Sequence, residues 1–464
     1  MTTDQNYQQI YRVGGMLDAG FVGQITYTIS LDQVYDELDI HFSFDKRLYS
    51  ESDVTPELID RLQTLCTAKY DAPTYPVEEF RQTILHEMKT EIHTMAELND
   101  DFIGCIHRQL TDRHMLYTKE FTSDGCLAQD TFSGVLKVTV LVFNVLLDNT
   151  QYTLTVSGHP VEQGVIAPNF NLMDTVKTAA GNAGASNAAG SADTSCDAES
   201  APASAVATAG SSDVSGAGSA AMAGDSSTTG SSSAGNTVTA STRFKRLELH
   251  NHTVESDGSL TCQELTEYLA ADHVDAFAIT DHNTTSGQKK IEQLLEEKHY
   301  PISLIRGMEY TTYFGHILCL NLSKYVPWNS IDQHRPELLF EAAREKGALV
   351  GIAHPFSYGD PFARGCRFEM TVSDYSKVDF IEIFNNPEPL HEVNERGTNL
   401  WMSLIFSGYQ ITATSGMDLH NRAKLAGCYA TYIEGKNGGN IASELDTAIH
   451  THRTWVSKGA LLLT

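Results

Sequence analysis

The chain of 464 residues is short of basic side chains, with 32 Lys and Arg against 59 Asp and Glu. The resulting charge of −27 argues against a long nucleic-acid or anionic-membrane surface, because phosphate contacts need clustered Lys and Arg. Its eight cysteines form no CxxC pair and no dense framework, so free thiols in a reducing, cytoplasmic compartment are expected. The start, "MTTDQNYQQIYRVGG", has neither the basic residues nor the apolar stretch of a signal peptide. The longest apolar run, "GVLKVTVLVFNVLLD", contains Lys137 and is too short to span a bilayer as a helix. No membrane partner is therefore expected. What is present is 41% apolar content, enough for one sizeable core, in a chain long enough for a second.

A second absence divides the chain. Residues 171–243 contain no aromatic residue and no hydrophobic period, and are almost entirely Ala, Gly, Ser and Thr. Such a segment cannot bury enough apolar area to offset its ordering entropy and is expected to be a disordered linker. Before it, residues 1–170 read as a smaller mixed α+β accessory domain. "QITYTISL" and "ELDIHFSF" alternate like half-buried strands. "VEEFRQTILHEMKTEIHTMAELNDDFIGCIHRQL" has helical spacing, and "LKVTVLVFNVLLDNTQYTLTVSG" reads as a hairpin turning at Asp148 to Thr150. His86, His93, His107 and His114 lie along the helical stretch. With no acidic ligand pattern beside them, they are expected to be ordinary histidines.

After the linker, residues 244–464 alternate short apolar strands with amphipathic helices, as in "RLELH", "TCQELTEYLAADH", "AFAIT" and "QKKIEQLLEEK". Repeated βα units imply an α/β fold with a closed or nearly closed barrel, whose polar strand ends line the site. Nearly every strand here ends in His, Asp or Glu. His250 and His252 end the first strand, two residues apart and so on one face. Asp281 and His282 follow the second, Glu309 lies in "RGMEYTT", and His316 opens "GHILCL". His354 ends "GIAHP", and Asp418 and His420 repeat the two-residue spacing. Imidazole and carboxylate without cysteine are ligands for Mn, Zn or Fe. The ligand count exceeds one tetrahedral ion and predicts two or three divalent ions, with Glu309 as the bridging carboxylate.

In order, "HNHTVESDG", "AITDHN", "GMEYTT", "FGHIL", "IAHP" and "GMDLH" resemble the polymerase and histidinol phosphatase (PHP) family. Within it, the resemblance is to the stand-alone phosphoesterases and the CehA/McbA-like metallohydrolases. The resemblance implies a distorted (β/α)7 barrel with its metal centre at the C-terminal face. By the same carry-over, His250, His252, Glu309 and Asp418 hold one ion. Glu309 bridges to a second ion on His316 and His354, and Asp257, His282 and His420 hold a third. Asp257 stands where many relatives carry His. The expected reaction is hydrolysis of a small phosphomonoester or a cyclic or nucleotide phosphodiester by water activated between the ions, with Asp418 or His420 moving the proton. Arg364 and Arg367, in "PFARGCRFEM", are the candidate clamp for the substrate anion. Two other readings stay open: hydrolysis of a carboxyl ester, amide or carbamate, and a non-catalytic metal-binding scaffold.

Overall fold

The computed structural model describes residues 7–70, 74–161, 242–385 and 392–458. The expected linker therefore falls outside the described residues, apart from its last two positions, which open a strand. Among the described residues, no helix is long and apolar enough to cross a membrane.

The N-terminal half is a seven-stranded antiparallel sheet. Its strands are β1 (Gln8–Leu17), β2 (Gly23–Phe44), β3 (Glu91–Leu98), β4 (Asp101–Ile106), β5 (Asp112–Tyr117), β6 (Phe132–Asn144) and β7 (Thr150–Pro160). Helices α1 (Pro56–Tyr70) and α2 (Val77–Glu87) are inserted between β2 and β3. Three expectations need correction. The two half-buried strands are one 22-residue strand, β2, whose first part pairs with β6 and whose second part pairs with β7. The hairpin expected around Asp148 does not exist as such, because β2 lies between β6 and β7. The long helical stretch is helical only over α2. Beyond it, β3 and β4 form an antiparallel pair whose turn holds Asn99 and Asp100 at φ 52° and 67°. Every residue of β3 is buried, so its strand alternation is masked in the sequence.

The C-terminal half is a nine-stranded sheet: β8 (Thr242–Glu248), β9 (Ala276–Ile279), β10 (Ser303–Thr312), β11 (Gly315–Leu320), β12 (Leu349–Ile352), β13 (Phe380–Asn385), β14 (Thr412–Gly416), β15 (Tyr429–Lys436) and β16 (Thr454–Lys458). Their order is β14-β13-β12-β11-β10-β9-β8-β15-β16. Neighbours β8, β9 and β10 run parallel, as do β12, β13 and β14, while β11 runs antiparallel to both its neighbours. The sheet nearly closes. Thr431 on β15 accepts from the Ser415 N–H at 2.8 Å and donates to the Ser415 carbonyl at 3.0 Å, doing with a side chain what a ladder does elsewhere. The helices are α3 (Cys262–Ala271), α4 (Ser286–Lys298), α5 (Glu337–Glu345), α6 (Glu392–Phe406) and α7 (Ile441–His450). The fold is mixed α/β, but the strand–helix repeat is broken. β10 passes directly to β11 through a two-residue turn, and among the described residues only a three-residue 3-10 turn lies between β12 and β13.

β9 shows why strands here read as continuous apolar runs. Ala276 and Ala278 pack in one core with α7, while Phe277 and Ile279 pack in another with α3 and α4. A third core joins the two halves of the chain. Met95, Phe102, Cys105, Leu141 and Phe143 pack with Met308, Tyr310, Trp328 and their neighbours. Polar contacts reinforce the joint: Tyr313 Oη donates to the Gly23 carbonyl at 2.7 Å, and the Gly125 N–H donates to Glu255 Oε2 at 3.0 Å. Gly125 has φ +80°, and a Cβ there would meet the Cys105 carbonyl oxygen at 2.3 Å. Burying this much shared apolar surface makes separation of the halves costly. Cutting the chain at a protease site introduced within residues 171–241 should therefore leave two fragments that co-elute on size exclusion. Their elution as two independent species would show the shared core to be too weak to hold them.

Candidate metal centre

Consecutive strands deliver the candidate ligands. His250 and His252 follow β8, His282 follows β9, Glu309 is on β10 and His316 on β11. His354 follows β12, Glu382 is on β13, and Asp418 and His420 follow β14. In a flat sheet β8 and β14, six strands apart, would stand about 29 Å from each other. His250 Nε2 is instead 3.4 Å from Asp418 Oδ1, because the sheet curls back on itself. The hairpin register explains one pair in detail. Glu309 is opposite Leu318, so His316, two residues before Leu318, is its diagonal neighbour on the same face. His316 Nδ1 lies 2.9 Å from Glu309 Oε1.

Glu309 is the hub and is fully buried. Its Oε1 faces His316 Nδ1 and, at 3.0 Å, His354 Nε2. Its Oε2 faces His250 Nε2 at 3.1 Å, His282 Nδ1 at 3.1 Å and His252 Nε2 at 3.3 Å. The two oxygens thus address two different imidazole groups. His252 Nε2 also reaches Asp418 Oδ1 at 3.0 Å. Asp257 Oδ1 faces His420 Nε2 at 3.3 Å and His282 Nε2 at 3.6 Å. Three groups gather ligand atoms within 4.8 Å of one another: His250, His252, Glu309 and Asp418; His282, Glu309 and His316; and His252, Asp257, His282 and His420. His252 and His282 are thereby shared more widely than the sequence analysis assigned them.

Acceptors behind the ring fix which imidazole nitrogen faces inward. The Cys366 carbonyl lies 3.2 Å from His354 Nδ1, and the Asp418 carbonyl lies 2.9 Å from His420 Nδ1. A carbonyl can only accept, so both Nδ1 atoms carry a proton and Nε2 is the nitrogen that each ring turns inward. The Glu382 carboxylate holds His250 in the same way, Nδ1 to Oε1 at 3.0 Å, and also accepts from the His354 N–H and from Asn385 Nδ2. Gly416 makes this approach possible, since a Cβ there would meet His250 Cβ at 2.5 Å and Glu382 Oε1 at 2.6 Å. Asp281 plays a different part from the one its neighbour suggests. It accepts from the Thr253 N–H and from the Thr253 and Ser256 hydroxyls, tying down the loop after His252 rather than touching His282. Burial raises its carboxyl to about 6.

Imidazoles and carboxylates of the ring shift one another strongly. Burial alone would lower the His250 imidazole, but Glu309, Glu382 and Asp418 outweigh it and hold it well above the ordinary range. Burial likewise opposes protonation of His420, yet Asp418 and Asp257 push it up to about 10. Glu309 would be raised by burial, but His250, His316 and His282 hold it well below the usual carboxylate range. Several ligand-type atoms nonetheless have no aligned hydrogen-bond partner: His250 Nε2, both His252 nitrogens, Asp257 Oδ1, Glu309 Oε2, His316 Nε2 and Asp418 Oδ1. Buried polar atoms left this way are costly unless something else satisfies them. Divalent ions fit, because imidazole and carboxylate lone pairs here converge without bonding well to each other.

The two candidate anion-binding residues flank Cys366, whose carbonyl faces His354, but their own pairings are within their loop and with α1. Arg364 Nη2 is paired with Asp360 Oδ1 at 2.8 Å. The Arg367 guanidinium lies over the rings of Tyr70 and Phe356, each at 5.3 Å. Tyr70 donates to the Asp360 carbonyl and accepts from the Gly359 N–H, so α1 anchors the loop that carries both arginines. The N-terminal sheet also reaches the ring, a contribution absent from the expectations above. His107, just past β4, stacks on His282 with ring centroids 4.1 Å apart, and its Nε2 is 3.6 Å from Asp257 Oδ2. No local pattern announces this contact, which depends on how the two halves dock.

A family described as a family of unknown function (DUF6669) matches residues 7–162. Among curated proteins, the chain is 30% identical over 112 residues to an uncharacterized protein of Methanocaldococcus jannaschii, covering 24% of this chain and 58% of that one. It is 36% identical over 141 residues to a 5′-3′ exoribonuclease of Haemophilus influenzae, covering 29% of this chain and 50% of that one. The chain thus spans about half the length of these two relatives. A crystal structure from Bacteroides vulgatus, of a two-domain protein containing a predicted PHP-like metal-dependent phosphoesterase, is similar at a TM-score of 0.36 and 18% identity. That similarity covers 47% of this chain and 66% of that one.

Proposed function

We propose that the protein is a metal-dependent phosphoesterase of the PHP type, acting on a small phosphomonoester or a cyclic or nucleotide phosphodiester. The observation that carries this reading is Glu309, whose two oxygens serve separate imidazole groups in a buried ring of unsatisfied ligand atoms. Similarity to a 5′-3′ exoribonuclease supports a phosphodiester and makes an RNA end a substrate to be tested, despite the acidic charge. His250, His252, Glu309 and Asp418 would hold one ion, Glu309, His316 and His354 a second, and Asp257, His282 and His420 a third. Adjacent divalent ions (Mn, Zn or Fe) supply Lewis acidity and lower the pKa of water. The chain's own groups do the rest. Glu382 and the Cys366 carbonyl orient His250 and His354. Asp418 and His420, at the rim, are the groups placed to take and return a proton. Arg364 and Arg367 bind the substrate anion.

The test is hydrolysis by metal-loaded protein of a panel containing phosphomonoesters, cyclic nucleotides, a 5′-phosphorylated RNA oligonucleotide and a carboxyl ester. Turnover confined to the carboxyl ester would overturn the reading. The pH dependence follows from the shifts above. Without a cation, His250 and His420 keep their protons at neutral pH, because both are raised; a cation must displace those protons. Lower pH strengthens the competitor. The metal concentration giving half-maximal activity should therefore rise as pH falls from about 8 to about 5, with turnover falling in step. A pH-independent metal requirement would count against imidazole ligation.

A further inference from the structure

The buried histidines of the N-terminal sheet face a question of their own. Glu91 and His93 are two residues apart on β3, so their side chains share a face. Met95 continues that face and packs into the core joining the two halves, accepting from Tyr325 Oη at 3.2 Å. Position 93 therefore points toward the C-terminal sheet. His107, just beyond the neighbouring strand β4, meets it there, with ring centroids 3.9 Å apart. Glu91, His93 and His107 are 6%, 0% and 4% exposed, and each offers a ligand atom within 4.8 Å of the other two.

We propose that these three residues form a further binding site for a divalent transition-metal ion, built from the N-terminal sheet and joined to the C-terminal metal centre through Asp257. Two observations besides the clustering point to a ligand. The Nδ1 atoms of His93 and His107 are buried without a hydrogen-bond partner. The Glu91 carboxylate meets His93 at its other nitrogen, Nε2 to Oε1 at 3.1 Å, which leaves the His93 Nδ1 lone pair unclaimed. Asp257 is also divided: Oδ1 faces His282 and His420 of the C-terminal centre, while Oδ2 faces His107. A carboxylate so placed connects the two donor groups through His107, behind which its Oδ2 stands. Arg113 is the cation that would compete for Glu91. Its Nη1 donates to the Ile92 carbonyl at 2.5 Å and its guanidinium lies over Phe42 and Phe44, while Nε and Nη2 are buried without a partner, so it makes no hydrogen bond to Glu91. Two imidazoles and one carboxylate are a zinc-type donor set that leaves one position open. The inference uses donors outside the C-terminal centre and stands whether or not that centre hydrolyses phosphoesters.

Crystals of the full chain grown with Zn2+ should show an anomalous peak, present above the zinc edge and absent below it, bounded by Glu91, His93 and His107. Peaks among the C-terminal ligands with none at this position would overturn the proposal. Elemental analysis gives a second readout. The Glu91→Gln/His93→Gln double variant should bind one zinc fewer per chain than the parent after dialysis, and an unchanged count would overturn it equally. Should the double variant fail to fold, the diffraction result on the parent protein decides alone. Loss of the C-terminal peaks with this one retained would instead strike at the phosphoesterase reading and leave the present site standing.

Discussion

Glu309→Gln should lose bound metal and turnover together. The carboxylate is fully buried and within 3.3 Å of five imidazoles, whereas Asp418, the other carboxylate facing the same ring, lies within 3.4 Å of only His250 and His252 among them. An amide of the same shape keeps one oxygen, which can still face one imidazole group. Its NH2 then points two donors at the other group, where a cation would have to sit. Removing the charge also removes what offsets two adjacent cations. The expected outcome is loss of at least one ion per chain, with a fall in kcat/KM of about three orders of magnitude or more. Elemental analysis and kinetics on one preparation, with circular dichroism to check folding, would measure both. A Glu309→Gln variant that keeps its full metal content and its rate would show that Glu309 bridges nothing.

How far such a centre is legible in sequence depends on which contacts are local. His250 and His252 are readable from their two-residue spacing at the end of an apolar run, although both lie just past β8, where Asn251 between them bridges to Leu419. The same spacing repeats at Asp418 and His420, but these follow β14 with Asp418 at φ 50°, so there the spacing marks the site without strand geometry. Pairing between distant strands is different. The alternation in β2, β6 and β7 identifies strands but cannot say that β2 lies between the other two, so an apparent hairpin around Asp148 is really two strands that flank β2 on opposite sides. β3 fails for another reason. Burial of both its faces removes the alternation, and its charged and apolar residues happen to fall at helical spacing. That one misreading hides the shared face of Glu91 and His93. The meeting of His107 with His282 is unreadable in any case, because it arises only when two independently patterned halves dock.

The arginine loop separates the remaining readings of the chemistry. Arg364→Ala and Arg367→Ala should keep the full metal content, since neither side chain contacts a candidate ligand in the pairings the structure shows. Their kcat/KM on a phosphoester should fall about 10- to 1,000-fold, roughly the transition-state worth of one or two charged hydrogen bonds. The structure also supplies a structural explanation that has to be separated from anion binding. Arg364 neutralises Asp360, and Arg367 is stacked between Tyr70 and Phe356, so truncating either could simply loosen the loop. Lysine replacements distinguish the two. Arg367→Lys keeps a positive charge but loses the planar fork, so a phosphate clamp should recover only part of the lost rate. A Tyr70→Phe variant frees the loop from its hydroxyl anchors at Asp360 and Gly359 without touching either charge. If loosening were the cause, Tyr70→Phe would match the arginine variants on every substrate. If both arginine variants hydrolyse phosphoesters normally, the clamp lies elsewhere. Should they also leave a carboxyl ester unaffected, the loop has no part in substrate binding and the carboxyl-hydrolase reading regains equal standing. A selective loss on phosphoesters, with metal retained, is the outcome that assigns the anion to these two side chains.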